Sequence, residues 1–319
     1  MEYTPTISAS DIEKAHEAIG PKIHCTPVLT SSALNQMTEA ELFFKCENFQ
    51  KIGAFKARGA TYFTDSLSDE ERAAGLCTHS SGNHGQAVAW AAQQYGVPAY
   101  IVMPSNAPEV KKRAVKGYGA EVIECPPTLQ ARESYLAEVQ KRTGAYFLHP
   151  FDDPRTITGQ ATCAKELIEE VSDLDYIIPP VGGGGLAAGT CLSAHYWSPD
   201  TSVLGGEPIG ADDAYRSLKA GEIIPLDEAH TIADGLRTSL GEHTFAVLHP
   251  LLERIVLVTD VEILEAMRLI WERMKIIIEP SCAVPLAVVK KEPDTFRGKR
   301  VGLILTGGNV DLDSWSFNP

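Results

Sequence analysis

Lys56, in the run Lys51-Ile-Gly-Ala-Phe-Lys-Ala-Arg-Gly59, is the residue of this 319-residue chain best placed for covalent chemistry. The run Phe43-Phe-Lys-Cys-Glu-Asn48 before it reads as a strand end. The alanine-rich stretch after it reads as a helix, and Gly53 lets the backbone turn between the two. A lysine at such a turn, flanked by Ala54, Phe55 and Ala57, loses part of its hydration. Desolvation lowers an amine's pKa and makes it a usable nucleophile toward a carbonyl. A solvated lysine at a helix start has the same local sequence, so the other polar turns of the chain must decide between the two.

Ser80-Ser-Gly-Asn-His-Gly-Gln86 follows the strand-like run Leu76–His79 and opens a helix over Asn83–Tyr95. Its glycines free the backbone, and Ser81 and Asn83 put polar groups at a helix N-terminus, which favours an anion such as a substrate carboxylate. An ordinary Ser or Asn cap explains one of these residues but poorly explains the cluster. Val181-Gly-Gly-Gly-Gly-Leu186 lies between the apolar strand Tyr176–Val181 and an alanine-rich helix, Leu186–Ala194. Consecutive glycine N–H groups there form what a phosphate cradle requires. No Gly-Lys-Ser/Thr follows, so this is not a nucleotide P-loop. A loose dinucleotide fingerprint (Gly182, Gly184, Ala187, with Glu207 further on) keeps a dehydrogenase in view at this point. Leu303-Ile-Leu-Thr-Gly-Gly-Asn309 is a buried strand ending in a hydroxyl and two glycines, usually no more than turn chemistry.

These segments together resemble the fold-type II pyridoxal-phosphate enzymes, most closely the serine racemase and serine/threonine/3-hydroxyaspartate dehydratase group. The resemblance extends over Thr26–Ser32, Lys51–Gly59, Ser80–Gln86, Val181–Gly185, Glu207–Asp213, Thr231–Gly235, Glu279–Ser281 and Thr306–Asp311. A dehydrogenase has no need of the lysine motif, and that alternative drops away. The resemblance implies an α/β, two-lobed fold of the tryptophan synthase β type, with parallel sheets flanked by helices. It implies that Lys56 holds pyridoxal 5'-phosphate as a Schiff base with Phe55 beside the ring. Asn83 would bind the ring's phenolic oxygen, Gly182, Gly183, Gly184 and Gly185 the phosphate, and Thr306 the pyridine nitrogen. A neutral hydroxyl at that nitrogen makes a weaker electron sink than a carboxylate partner does, which suits prompt loss of a β-leaving group. Ser81 resembles the acid/base on the cofactor face opposite Lys56, which would add racemisation to elimination. Ser80, Ser81, Asn83, His84 and Arg132 would contact the substrate. Arg132 and His79 would favour a second carboxylate, as in 3-hydroxyaspartate. A divalent cation is similarly held in this group by residues matching Glu207, Ala211 and Asp213; oxygen ligands suit Mg2+, Ca2+ or Mn2+ and argue against zinc. The implied reaction is deaminating dehydration of serine, threonine or 3-hydroxyaspartate, with serine racemase activity. A β-replacement synthase of the cysteine-synthase type and a non-catalytic binding relative are the alternatives, and Ser81 and the Glu207–Asp213 cluster count against the first.

Composition agrees. The chain is long enough for two lobes, and a formal charge of −14 argues against nucleic acid and anionic membranes as partners. An odd count of seven cysteines, with no C-x-x-C pair, points to reduced thiols in the cytoplasm. The polar N-terminus is not a signal peptide, and Ser10 and Glu13 fit a helix capping box there. No apolar run is long enough to span a bilayer. From Leu76 to Leu148 strand-like runs (Ala99–Met103, Glu121–Cys125, Ala145–Leu148) alternate with helical ones (Asn83–Tyr95, Pro108–Gly117, Thr128–Thr143), which predicts a parallel sheet. Residues 76–149 are therefore expected to form a small domain. Residues 1–75 and 150–319 would form a discontinuous large domain, with the cofactor between the two. The resemblance further implies a homodimer and a small amino-acid substrate. It leaves no segment for the C-terminal regulatory domain of biosynthetic threonine dehydratases.

Overall fold

A computed structural model describes residues 5–107 and 109–312. Two sheets organise them. The larger contains β1 (Val28–Leu29), β2 (Glu41–Cys46), β7 (Tyr176–Ile178), β8 (Ser202–Pro208), β9 (Arg254–Val258) and β10 (Arg300–Leu305), in the order β1-β2-β10-β7-β8-β9. The smaller contains β3 (Leu76–His79), β4 (Ala99–Pro104), β5 (Glu121–Cys125) and β6 (Tyr146–Phe147), in the order β5-β4-β3-β6. All strand pairs are parallel except β1 with β2. Parallel strands need helical crossovers, and those helices cover the sheet faces. Helices Asp260–Met274 and Pro280–Lys291 close one face of the large sheet over Phe44, Leu204, Val256, Leu303 and Leu305. Helices Pro154–Glu170 and Gly185–Trp197 close the other. The core under the small sheet joins Leu76, Ile101 and Met103 to Ala57, Ala60 and Phe63 of the helix Lys56–Asp65. The helix that begins with Lys56 is thereby packed against the small sheet's core and against helix Pro154–Glu170 at once.

Several boundaries differ from the sequence reading. The strand expected over Tyr176–Val181 stops at Ile178, because Pro179 and Pro180 have no N–H for a ladder; one bridge, Pro180 to Gly206, continues it. The N-terminal helix Ala9–Ile19 starts early enough that Ser8 and Asp11, not Ser10 and Glu13, form the capping box. The third helix of the small-sheet region spans Leu129–Thr143 with Thr128 as its N-cap. The second spans Glu109–Gly117, and its expected start at Pro108 lies outside the described residues. No helix among the described residues is long and apolar enough to cross a membrane.

Two residues beyond Lys56, Arg58 is fully buried and held by two carboxylates. Its guanidinium donates to Glu47 Oε1 and Oε2 at 2.8 and 2.7 Å and to Glu166 Oε1 and Oε2 at 2.7 Å each. Lys45 Nζ donates to Glu166 Oε2 at 2.7 Å, so two buried cations face two buried anions. Burial pushes the Glu166 carboxyl up, but hydrogen bonds from His16 and Arg58 outweigh it and hold the group well below the usual carboxylate range. A depressed carboxylate stabilises the fold above its unfolded pKa and loses that contribution as acid titrates the folded state. Removing one partner of such a set leaves uncompensated buried charge. Arg58→Met is expected to cost about 3–5 kcal/mol in urea unfolding. A loss below about 1 kcal/mol would mean that Glu47 is not left as an uncompensated buried charge when Arg58 is removed.

Candidate active site

The turn that presents Lys56 is stitched to the end of β10. Phe55 N–H donates to Thr306 O at 3.0 Å, Gly308 N–H donates to Gly53 O at 2.9 Å, and Ala54 bridges Gly307. Lys56 is the first residue of its helix. Its Nζ donates to Pro150 O at 2.7 Å and lies 5.0 Å from the Phe55 ring centroid. Burial pushes the amine down to about 8. Removal from water disfavours the ammonium, and the carbonyl, unlike a carboxylate, does little to restore it. A usable fraction of neutral amine is accordingly present near neutral pH. The desolvated lysine expected from the sequence is there.

The helix Asn83–Tyr95 starts as the sequence predicted. Ser80 Oγ accepts from Gly82 N–H at 3.2 Å, while the Ser81 hydroxyl has no hydrogen-bond partner among the described residues. Asn83 is held on both sides: its Nδ2 donates to Glu279 Oε1 and its Oδ1 accepts from Asn309 Nδ2, both at 2.8 Å. Burial pushes the Glu279 carboxyl up to about 7, so near neutral pH it carries a proton part of the time. The His84 side chain turns inward. Its ring is buried with Nε2 2.9 Å from Leu148 O, and burial holds it well below the ordinary histidine range. What His84 offers the serine loop is its main-chain N–H in the first helical turn.

Gly184 has φ +86° and caps the helix Gly185–Trp197, a conformation that penalises any Cβ. The main-chain N–H groups of Gly182, Gly183 and Gly184 have no protein acceptor among the described residues. A Cβ on Gly183 would lie 2.3 Å from the Phe151 ring, which packs directly against the loop. Thr306 Oγ1 is buried without a well-aligned hydrogen-bond partner, the weakly polar Cys282 thiol lying beside it. A buried amine, a cradle of unpaired N–H groups and an orphaned hydroxyl fit a phosphorylated, aldehyde-bearing cofactor with a ring nitrogen.

Two further groups stand apart. Glu207, at the end of β8, accepts from Ala214 and Tyr215 N–H at 2.9 Å each, and Asp213 Oδ2 accepts from Leu240 N–H at 3.2 Å. Asp213 Oδ1 is buried without a partner. Burial, aided for Glu207 by the neighbouring Asp213 charge, pushes Glu207 well up and Asp213 to about 6. With Ala211 in the intervening 3-10 turn, this oxygen-rich, anion-strained set suits a hard divalent cation. No group of three or more His, Cys, Asp or Glu side chains able to hold a metal occurs among the described residues. Arg132, half-buried on its helix, has no ion pair among the described residues. It lies near His79, whose pKa is lowered first by burial and then by the Arg132 charge, and whose Nδ1 is buried without a partner.

Sequence reasoning missed the stretch His149–Asp152, in which Pro150 O meets the lysine and the Phe151 ring packs on the glycine loop. The available signal was their place directly after the parallel strand β6, since ligands collect at the C-terminal ends of parallel strands.

A model of the pyridoxal-phosphate dependent enzyme family matches residues 19–307. Over 316 residues the chain is 50% identical to a beta-hydroxyaspartate dehydratase of Paracoccus denitrificans, covering 99% of this chain and all of that protein. It is 49% identical to the serine racemase of Dictyostelium discoideum over 99% of each chain. The crystal structure of that racemase superposes with a TM-score of 0.92, covering 96% of this chain and 100% of the other. A T.th. threonine deaminase superposes with a TM-score of 0.91 at 43% identity, covering 96% of this chain and 99% of the other. With the lysine, the glycine cradle and these matches in agreement, the chain belongs to the pyridoxal-phosphate dependent enzyme family.

Proposed function

We propose that this protein is a dehydratase of small β-hydroxy amino acids that releases an oxoacid and ammonia, and that it also racemises serine. The observation that carries this reading is the buried Lys56 amine on Pro150 O, its pKa lowered toward neutrality, beside an N–H cradle with no protein acceptor among the described residues. When bound, pyridoxal phosphate supplies the electron sink that acidifies the substrate's α-proton. Lys56 is matched to remove that proton, because a base works best with a pKa near the working pH. Thr306 would leave the ring-nitrogen end neutral. Asn83, fixed between Glu279 and Asn309, would hold the phenolic oxygen, and the Ser80–His84 turn would receive the substrate carboxylate at a helix N-terminus. The Ser81 hydroxyl, free of protein partners, exchanges a proton at the α-carbon on the face opposite Lys56. Arg132 with His79 takes a second carboxylate, which makes 3-hydroxyaspartate the preferred substrate. Glu207, the Ala211 carbonyl and Asp213 hold Mg2+, Ca2+ or Mn2+. We further propose lobes of residues 1–75 with 150–319 and of residues 76–149, assembled as a cytoplasmic homodimer.

The purified protein is expected to be yellow, with borohydride fixing the cofactor to Lys56 and Lys56→Ala losing turnover by orders of magnitude; label on Lys51 would refute the assignment. In the same assay Ser81→Ala should abolish racemisation yet keep dehydration of one enantiomer, because Lys56 needs no help on its own face. Equal loss of both reactions would make Ser81 a substrate-binding residue instead.

The raised carboxylates give the metal a signature in pH. A group whose folded pKa lies above its unfolded value stabilises fully below the unfolded value, and that contribution is lost as pH rises through the folded value. For Asp213 the loss runs from about pH 4 to pH 6 and beyond. Chelated protein should therefore fall in Tm over that range, and Mg2+, Ca2+ or Mn2+ should restore more Tm at pH 7.5 than at pH 4.5. Asp213→Asn should lose the metal response and keep only the pH dependence that Glu207 contributes; a variant that keeps the metal response places the ion elsewhere.

Substrate charge is read from Arg132→Met. It should lower kcat/KM for 3-hydroxyaspartate about tenfold or more beyond its effect on serine, the loss of one charge-assisted pair. Equal losses on the two substrates would leave Arg132 without a role in selection.

A further inference from the structure

Between β6 and the helix Pro154–Glu170 the chain runs through Leu148-His-Pro-Phe-Asp-Asp153. Its carbonyls meet separate elements: Leu148 O takes the His84 ring, His149 O the Thr156 hydroxyl at 3.1 Å, and Pro150 O the Lys56 amine. His149 Nδ1 accepts from Asp152 N–H at 2.8 Å and from Phe151 N–H at 3.4 Å, so any ring proton sits on Nε2. Burial pushes that imidazole down to about 4, which keeps it neutral beside Lys56. Asp152 reaches away from the strap. Its carboxylate accepts from Glu242 N–H at 3.1 Å, His243 N–H at 2.8 Å and Thr244 N–H at 3.1 Å, at the N-terminus of the helix Glu242–Leu251. Gly241 makes room for it, since a Cβ there would lie 2.0 Å from Asp152 Cγ.

A helix needs no such distant partner to be capped. An Asp, Asn, Ser or Thr at position 241 would satisfy one of the same N–H groups locally. The chain has glycine there and brings the carboxylate from a residue 90 positions away. That arrangement does one thing a local cap cannot: it ties the Pro150–Asp152 turn to the large-sheet side of the molecule. Phe151, between the two anchored residues, lies against Gly183 and Gly185.

We propose that Asp152 is a positioning residue for the reactive amine: by anchoring the turn to helix Glu242–Leu251 it holds the Pro150 carbonyl against Lys56 and the Phe151 ring on the glycine loop. The inference rests on Lys56 being the reactive lysine. An amine that donates one N–H to a fixed carbonyl keeps its lone pair in a restricted set of directions, and small misplacements of a base are costly. The anchored turn also keeps water from the amine.

The test uses the holoenzymes of Asp152→Ala and Asp152→Asn beside Thr259→Ala, which removes the capping box of helix Asp260–Met274, whose cap bonds do not reach residues 148–153. Tm, cofactor dissociation by equilibrium dialysis, kcat and KM for a β-hydroxy amino acid, and the pH profile of kcat are measured. All three variants should lose Tm. Asp152→Ala alone should lose kcat about tenfold or more with KM within about twofold, and release cofactor faster. Its acid-side limb should move to higher pH as water reaches Lys56 and the amine pKa rises toward that of free lysine. Asp152→Asn, which keeps one acceptor oxygen, should lie between Asp152→Ala and the parent and carries the test if alanine is not tolerated. Tm loss with an unchanged kcat, limb and cofactor affinity would reduce Asp152 to a helix cap. A Lys56→Ala enzyme that still turns over would instead overturn the underlying assignment.

Discussion

The structure depends on keeping one amine out of water without giving it a counter-ion. Lys56 Nζ is hydrogen-bonded to a carbonyl, Pro150 O, and the titratable neighbours that share its surroundings, His84 and His149, are held neutral by burial. A carboxylate in the place of that carbonyl would stabilise the ammonium and raise its pKa. The charge that the helix does bury lies two residues further on, where Arg58, together with Lys45 of β2, meets Glu47 and Glu166 in a set that balances itself. The helix is thus clamped by ionic bonds on the side away from the chemistry, and its first residue is left with an unencumbered amine.

The same separation recurs at larger scale. Asn83, Glu279 and Asn309 join the serine loop of the small sheet to segments that follow the large one. An exposed pair, Lys111 with Asp234 at 3.0 Å, crosses between the two regions near the surface. The buried links are neutral or nearly so, while the ion pair lies where water screens it and where it contributes little. The acidic interior set of Glu207 with Asp213 is different, because the described residues leave its charge unbalanced. Uncompensated buried carboxylates are costly, which is the physical reason for assigning a cation there.

How much of this was legible beforehand depended on the range of each interaction. Lys56, the serine loop, Gly182–Gly185 and Thr306 each sit at a strand–helix or strand–turn junction, and such junctions show in hydrophobic periodicity and glycine placement over a few residues. The smaller parallel sheet followed from the alternation of strands and helices between Leu76 and Leu148 for the same reason, whereas the larger one was implied only by the family resemblance. Local detail already slipped by two residues at Ser8, because two overlapping serine–acid spacings fit one helix start and only packing selects between them. Packing alone also decided where the His84 ring lies, since helix phase turns it into the core, toward Leu148, and leaves its main-chain N–H at the loop.

What the sequence determined by itself was the set of reactive groups and the order of the elements that carry them. Tertiary structure alone decided which distant segments meet. Pro150 O faces Lys56 across 94 positions, Glu166 reaches Arg58 across 108, and Asp152 reaches helix Glu242–Leu251 across 90. Periodicity and turn chemistry describe neighbours within a helical turn or a strand pair. Those three contacts arise only when the turn after β6 and the helices Lys56–Asp65, Pro154–Glu170 and Glu242–Leu251 pack together. The lowered pKa of Lys56 belongs to that second category: desolvation is a property of everything packed around the amine, and no short stretch of sequence contains it.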